Sequence, residues 1–258
     1  MLFILSPSKT QRFIKRYFPH FSQPLFQEKT LYLIEYLQTL NKKEISRLMK
    51  TSEKLTDSTL QLIRNFQPPF TLEKTGQAIF TFQGDAYSKM APGSYSEHQL
   101  LYAQDHLCIL SGLYGILRPL DLMFPYRLEM GTKLNNKEIK NLYSYWSNSI
   151  TGFINSSLAA MDSGIVINLA SNEYSKAVNR KKLKGKIITI VFKQEKNGVY
   201  KTIPIYSKRA RGLMTHFAIT SQIEKADELK SFSLDGYCYR HETSTEETWI
   251  FEKRGSLA

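Results

Sequence analysis

The chain has 258 residues, of which 42% are hydrophobic and 12% aromatic, so it can bury a core and is not a disordered or low-complexity chain. Its net charge of +12 favours a polyanionic partner such as nucleic acid, although a basic surface without such a partner is an open alternative. Two cysteines are too few for a disulfide framework, and no apolar run is long enough for a signal peptide or a membrane span. We therefore expect a reduced, soluble, cytoplasmic protein without a membrane partner.

Apolar runs and helical spacing predict the elements of the first half of the chain. MLFILS predicts a buried strand, LYLIEYLQTL a helix, and KEISRLMKTSEKLTDSTLQLIRNF two short helices around a tight turn. SEHQLLYAQDHL then predicts a helix that leads into the strand LCIL, and NLYSYWSNSITGFINSSLAAM predicts a long helix.

In the second half, IVINLA predicts another buried strand. KIITIVFKQ and VYKTIPIYS flank Asn197-Gly198, a pair typical of a two-residue β-hairpin turn. A helix is predicted from about Lys208, and GYCYR and TWIFEK predict a last strand pair. Because helices and strands alternate and no linker interrupts residues 1–258, the expected fold is a single α/β domain with a mixed sheet wrapped by helices.

Four predicted strands end in a small polar residue followed by charged groups: LFILS-PSKT, LCILS-GLYG, VINLA-SNEY and IPIYS-KRARG. In open α/β sheets, ligands bind beyond the carboxyl ends of strands, so four such ends on one side would form a cleft. The candidate cleft residues are Ser6, Lys9, Thr10, Ser111, Arg118, Asp121, Tyr126, Arg127, Glu129, Ser171, Glu173, Tyr174, Lys208 and Arg211. The alternative is that these polar residues only terminate their strands.

Two pairs of opposite charges lie in the apolar segment LCILSGLYGILRPLDLMFPYRLEMG. Buried charges are tolerated when they are paired, so we expect Arg118 and Arg127 to be at least half-buried and paired with acids such as Asp121, Glu129 or Glu173. These pairs would line the cleft or, alternatively, hold a proline-rich loop without touching a ligand.

The segment SKRARG predicts an anion site. Ser207 is expected to cap a helix whose first turn carries Lys208, Arg209 and Arg211. Cations oppose the helix dipole at that end, so the arrangement favours a bound phosphate or carboxylate, that is, a small anionic ligand. The alternative is that these cations lie at the surface, where their unfavourable interaction with the helix dipole is tolerated.

The charge of one segment and the helical pattern of another also indicate a DNA partner. Residues 174–211 hold 12 Lys and Arg but one acid, with aromatic residues between them, although a solvated lysine-rich hairpin is the alternative. Residues 44–66 have the outline of a helix–hairpin–helix, which presents helix N-termini to phosphates, but they lack the glycines usual in that hairpin. The DNA-binding candidates are Lys50, Thr51, Lys54, Thr56, Lys181, Lys182, Lys184, Lys208, Arg209 and Arg211.

Signatures of metal, cofactor and nucleophile sites are missing from the sequence. The five histidines lack a ligand spacing such as HExxH, and no P-loop, GxGxxG or GxSxG occurs. We therefore predict no cofactor and no metal, and the sequence identifies no catalytic residue.

Four motifs together resemble the YaaA family of peroxide stress proteins. They are SPSKT, SGLYGILRPLDLMFPYRLEMG, INLASNEY and KRARGLM, in the order and spacing of that family from Met1 to about Tyr237. The family often has Asp where this chain has Asn172, which leaves Glu173 as the acid of that motif.

The resemblance implies a bacterial cytoplasmic protein that limits oxidative damage under hydrogen peroxide and lowers unincorporated iron. It also implies DNA binding through a basic cleft and a helix–hairpin–helix-like element on a single-domain α/β fold. An enzyme that acts on a nucleotide or nucleic acid at the cleft is the alternative. Direct iron binding by carboxylates such as Asp121, Glu129 and Glu173 ranks last, because stable iron sites usually include histidine.

Overall fold

The computed structural model describes residues 1–13, 18–134, 136–161 and 163–255. Its strands are β1 Leu2–Leu5, β2 Gly76–Gln77, β3 Leu107–Ser111, β4 Gly115–Leu117, β5 Leu122–Met123, β6 Ile165–Asn168, β7 Lys186–Lys196, β8 Val199–Lys201, β9 Tyr237–Tyr239 and β10 Thr248–Lys253. Its α-helices are α1 Gln27–Gln38, α2 Lys42–Met49, α3 Glu53–Arg64, α4 Ala78–Thr81, α5 Asp85–Met90, α6 Glu97–His106, α7 Leu142–Ala160, α8 Asn172–Ser175 and α9 Pro204–Thr220. The expected mixed α/β fold is confirmed.

Eight strands form one mixed sheet in the order β4-β3-β1-β6-β7-β10-β9, with β8 paired to β7. The five strands β3, β1, β6, β7 and β10 run parallel, whereas β4, β8 and β9 are antiparallel to their neighbours. Every residue of β1 and β3 is buried. Their continuous apolar sequences are explained by this position, because a central parallel strand is covered on both faces.

Buried aromatic side chains connect the surrounding helices to the sheet. Trp146 of α7 has no exposed surface, and its indole Nε1 donates a hydrogen bond of 2.9 Å to the carbonyl oxygen of Gly112. Phe66, which follows α3, packs against Phe70, Tyr114 and Phe124. These contacts fix α3 and α7 relative to the carboxyl edge of β3.

The predicted hairpin at Asn197-Gly198 is confirmed as β7 and β8, but the strand predicted at IPIYS is wrong. Pro204 is instead the first residue of α9, where its fixed φ suits a helix and its missing N–H costs nothing. Ser207 therefore lies within the helix and is no N-cap, and Lys208, Arg209 and Arg211 belong to the second turn. The predicted helix start at about Lys208, with Ser207 as its N-cap, is therefore wrong.

Helices α2 and α3 have the predicted helix–turn–helix outline. Asn41 and Glu44 form a capping box at the start of α2, and Lys50 ends the helix with a left-handed φ of 51°. The turn contains no glycine, and the geometry does not confirm the pair as a DNA-binding helix–hairpin–helix. What the structure establishes is a short hairpin that faces the carboxyl edge of the sheet across a cleft.

Candidate functional site

A cleft of about 830 Å³ separates the α1–α3 side of the molecule from the segment that follows β5. Its charged lining comprises the cations Lys9, Arg47, Lys50, Arg127 and Lys133 and the carboxylates Glu44, Glu129 and Glu173. Five cations against three carboxylates leave the lining net positive, as expected for a site that binds an anion.

Three of the four expected strand ends do meet at one edge of the sheet, because β1, β3 and β6 are parallel. The Ser6 Oγ lies 3.3 Å from the Ser171 Oγ and accepts a hydrogen bond of 2.8 Å from the Ser171 N–H. Ser111 Oγ donates to the Tyr126 hydroxyl at 2.7 Å. Ser6 and Ser171 thus bond to each other and Ser111 bonds to Tyr126, and none of the three serines is among the described residues that line the cleft.

The floor of the cleft holds one shared ion-pair cluster. The Lys9 ammonium lies 2.7 Å from Glu129 Oε1, and Arg127 Nη1 lies 3.9 Å from the same oxygen. Glu173 accepts a hydrogen bond of 3.0 Å from the Gly131 N–H, which attaches α8 to the segment bearing Arg127 and Glu129. The prediction that Arg127 is largely buried and close to an acid is confirmed, since 19% of its side chain is exposed.

Three tyrosines lie beneath this cluster. Tyr126 and Tyr174 contact the same small recess as Lys9 and Arg127, and the Tyr87 hydroxyl donates to the Ser6 carbonyl oxygen. Burial raises the pKa of each of the three hydroxyls above that of a free tyrosine. The raised pKa values favour the neutral, protonated form of all three hydroxyls.

Thr10 borders this region through its backbone. Its side chain is exposed, its N–H donates to Ser8 Oγ at 3.2 Å, and its carbonyl oxygen accepts from the Gln83 N–H at 2.9 Å. Thr10 thus fixes the path of the chain next to Lys9.

Arg118 and Asp121 do not join the cleft, which corrects the expected grouping. Strand β4 runs antiparallel to β3, so Arg118, which follows β4, lies at the opposite edge of the sheet. The Arg118 Nη2 lies 2.9 Å from Asp121 Oδ1, and Ser22 Oγ donates to the same carboxylate at 2.6 Å. Their pairing is confirmed, with 26% and 0% of the two side chains exposed, but the pair holds loops together.

The three predicted DNA-binding groups lie in three different places. Lys181, Lys182 and Lys184 are exposed just before β7, at the amino edge of the parallel strands and thus opposite the cleft. There Asn155 of α7 bonds to the backbone of both Lys182 and Lys184. The basic stretch 174–211 is therefore not one continuous surface.

On α9, the basic residues also differ from one another. Lys208 is exposed, Arg209 forms an ion pair with Asp85 at 3.1 Å, and Arg211 is half-buried. None of the three is among the residues that line the cleft within the described parts of the chain.

The hairpin group does reach the cleft. Lys50 and Thr51 line it, Lys54 is exposed, and Thr56 is buried with its Oγ1 bonded to Thr51 Oγ1 and to the Ser52 carbonyl oxygen. Thr56 is thus a structural residue that stabilises the turn from within.

Two lining cations were not predicted. Arg47 lies on the exposed face of α2, and Lys133 follows the conspicuous LEMG motif by two residues. Arg47 lies three residues after Glu44, about one turn along α2, and Glu44 also lines the cleft. Nothing in the sequence distinguishes Arg47 or Lys133 from an ordinary surface residue.

Among residues 1–13, 18–134, 136–161 and 163–255, no three His, Cys, Asp or Glu side chains are grouped closely enough to hold a metal ion. Within the same ranges, no helix has the length and apolar character needed to cross a membrane.

Comparison with known proteins agrees with the motifs. The profile of the family described as peroxide stress protein YaaA matches residues 1–243. A UPF0246 protein of Shewanella baltica strain OS185 is 45% identical over 257 residues, which cover 98% of this chain and all of the relative. UPF0246 proteins of Acaryochloris marina and Cellvibrio japonicus are each 44% identical, over 97% and 98% of this chain and 99% and 98% of their own lengths. The chain therefore belongs to the family of peroxide stress protein YaaA.

Proposed function

We propose that this protein binds the DNA backbone through the cleft, as part of the peroxide stress response after which its family is named. The observation that carries the proposal is a set of three exposed cations around the cleft, Arg47, Lys50 and Lys133, that form no ion pair with any described residue. Unpaired cations on a concave surface are free to neutralise phosphates and release the counterions that accompany DNA.

The hairpin provides a second reason to favour a phosphate backbone. The left-handed Lys50 ends α2, so the turn brings this lysine and the start of α3 to the same side of the cleft. The first turn of α3 has no side-chain cap at Ser52, so its amide groups remain available to an anion. Backbone amides and lysines recognise phosphates rather than bases, which predicts binding without sequence preference.

We further propose that this binding occurs in the cytoplasm, where it limits iron-dependent oxidative damage to DNA. The absence of a grouped set of metal-binding side chains among the described residues favours an effect on damage through DNA over direct capture of iron.

A second candidate function is an enzyme that acts on a nucleotide or a nucleic acid at the floor of the cleft. The observation in its favour is Glu129, whose carboxylate lies close to both Lys9 and Arg127 and lines the same recess as Tyr126 and Tyr174. Such a carboxylate could accept a proton from a substrate held by the two cations. Glu129→Gln would then abolish turnover of the substrate without weakening DNA binding, because it removes a negative charge from the cleft.

The proposal is tested by removing equal charge at two places. We expect Arg47→Gln, Lys50→Gln and Lys133→Gln together to weaken binding of a short duplex at least about tenfold at fixed salt, because each removes a phosphate contact. The matched control is Lys181→Gln, Lys182→Gln and Lys184→Gln, which removes the same charge at the opposite sheet edge and should change the affinity much less. Fluorescence anisotropy measures both, and equal losses would mean that net charge alone attracts DNA.

A further inference from the structure

Helix α9 carries two polar side chains, one turn apart on the same face, with buried atoms that have no hydrogen-bond partner among the described residues. Ser207 is 4% exposed, and its Oγ forms no hydrogen bond within the part of the chain that the structure describes. Four residues on, the Nε of Arg211 is also buried and donates no hydrogen bond. Buried polar groups are nearly always satisfied, so two neighbouring exceptions on one helix face require an explanation.

Arg211 also lacks a counter-charge among the residues that the structure describes. It forms no ion pair with any described residue, α9 contains no acidic residue, and the nearby Asp85 is paired with Arg209. Burial away from water lowers the pKa of the Arg211 guanidinium, with no carboxylate to oppose the effect. An unpaired guanidinium in such surroundings is costly, which favours a negative group supplied from outside the chain.

Contacts of α9 with α5 place the helix near the carboxyl edge of the sheet. Gly212 packs so closely on α5 that a Cβ atom there would lie 2.0 Å from the Ala86 carbonyl oxygen. Tyr87 of the same helix α5 donates to the carbonyl oxygen of Ser6, which follows β1. The carboxyl edge is where α/β sheets bind small ligands, and neither Ser207 nor Arg211 is among the described residues that line the cleft.

We propose that Arg211 and Ser207 form a binding site for the oxyanionic group of a small molecule, a phosphate or a carboxylate. The guanidinium supplies a planar set of donors with a permanent charge, and the covered hydroxyl one turn earlier has a donor that no described residue uses. The side chain of Arg211 is half-buried although its Nε is fully covered, so the terminal nitrogens are the part that a ligand can reach. The site is independent of the proposed binding of DNA.

The test uses inorganic phosphate and acetate as probes on the full chain, with sodium chloride at equal ionic strength as reference. At least one of the two anions should raise the melting temperature of the wild-type protein, and the effective anion identifies the ligand as phosphate or carboxylate. Arg211→Gln should raise the dissociation constant at least about tenfold and Ser207→Ala several-fold, because each removes a buried donor. Lys208→Gln, which removes an exposed charge next to them, should behave as wild type. Equal shifts in wild type and Arg211→Gln, or no shift with either anion, would overturn the proposal.

A second variant, Arg211→Met, distinguishes a loss of anion binding from a loss of stability. In buffer without either anion, Arg211→Met should melt at the same temperature as the wild type or higher, because it removes a buried charge that has no partner. A large fall in melting temperature would show that Arg211 has a structural partner in the chain and would also overturn the site. Duplex affinity should be unchanged in Arg211→Met, which separates this site from the DNA cleft.

Discussion

Arg118→Met is expected to lower the free energy of unfolding by about 3–5 kcal/mol near neutral pH, because it leaves the fully buried Asp121 carboxylate without its counter-charge. Three donors of Arg118 bond to Asp121: its backbone N–H at 2.8 Å, Nε at 3.2 Å and Nη2 at 2.9 Å. The variant keeps the first of these and loses the two from the guanidinium. Ser22 continues to donate to the carboxylate but cannot replace the lost charge.

The stability lost in Arg118→Met should grow as the pH rises. Burial already raises the pKa of Asp121, and Arg118 opposes that shift, so the variant raises the folded-state pKa further above the unfolded value. Below the pKa that it has in the unfolded chain, such a carboxyl group is protonated in both the folded and the unfolded state, and its burial costs little stability. The cost appears as the pH rises through the folded-state pKa.

Urea unfolding of Arg118→Met at about pH 5 and about pH 8 should therefore show the larger loss at the higher pH. Lys186→Met is the control, because it breaks an exposed ion pair with Glu246 and should have a much smaller effect. A loss that is the same at both pH values would mean that Asp121 is not the group left unpaired.

Gly112→Ala is expected to cost about 2–4 kcal/mol and to disturb the cleft, because a Cβ atom at this position would lie 2.3 Å from the Leu128 carbonyl oxygen. The obstacle is backbone, so it cannot rotate away as a side chain does. The segment that carries Arg127 and Glu129 must move, and both the floor of the cleft and the Lys9–Glu129 pair move with it.

Gly152→Ala is the matched control, since it lies on an exposed face of α7 with nothing within 4 Å of the new Cβ. Alanine favours a helix over glycine, so this variant should gain up to about 1 kcal/mol. Chemical denaturation measures both changes. A Gly112→Ala protein as stable as the wild type would show that the backbone at Leu128 does not pack directly against Gly112.

Much of the sheet could be predicted from the sequence, because most of its longer strands have recognisable sequence patterns. β1, β3 and β6 are almost wholly buried and thus have mostly apolar sequences, and Asn197-Gly198 supplies the left-handed φ values of a tight hairpin. IPIYS failed because a short apolar run does not distinguish a strand from the first turn of a helix. Pro204 was the available signal, since proline is favoured at the first helical position.

The candidate site was only partly predictable, because sequence does not reveal strand direction. The turn at residues 112–114 reverses the chain into β4 and carries Arg118 away from the edge where Ser111 lies. Lys181 and Lys184 are likewise separated from the cleft by the length of the sheet, although they are near Glu173 in sequence. Arg47 and Lys133 were missed because their role depends only on which surface they face.

The salt dependence of DNA binding tests the central claim most directly. Each phosphate contact releases condensed counterions, so log K against log salt falls with a slope of about −0.9 per contact. The combined Arg47, Lys50 and Lys133 variant should flatten this slope by about two to three units, whereas the Lys181, Lys182 and Lys184 variant should keep the wild-type slope. The same flattening in both variants, or an unchanged slope in the first, would contradict the assignment of the cleft as the DNA-binding surface.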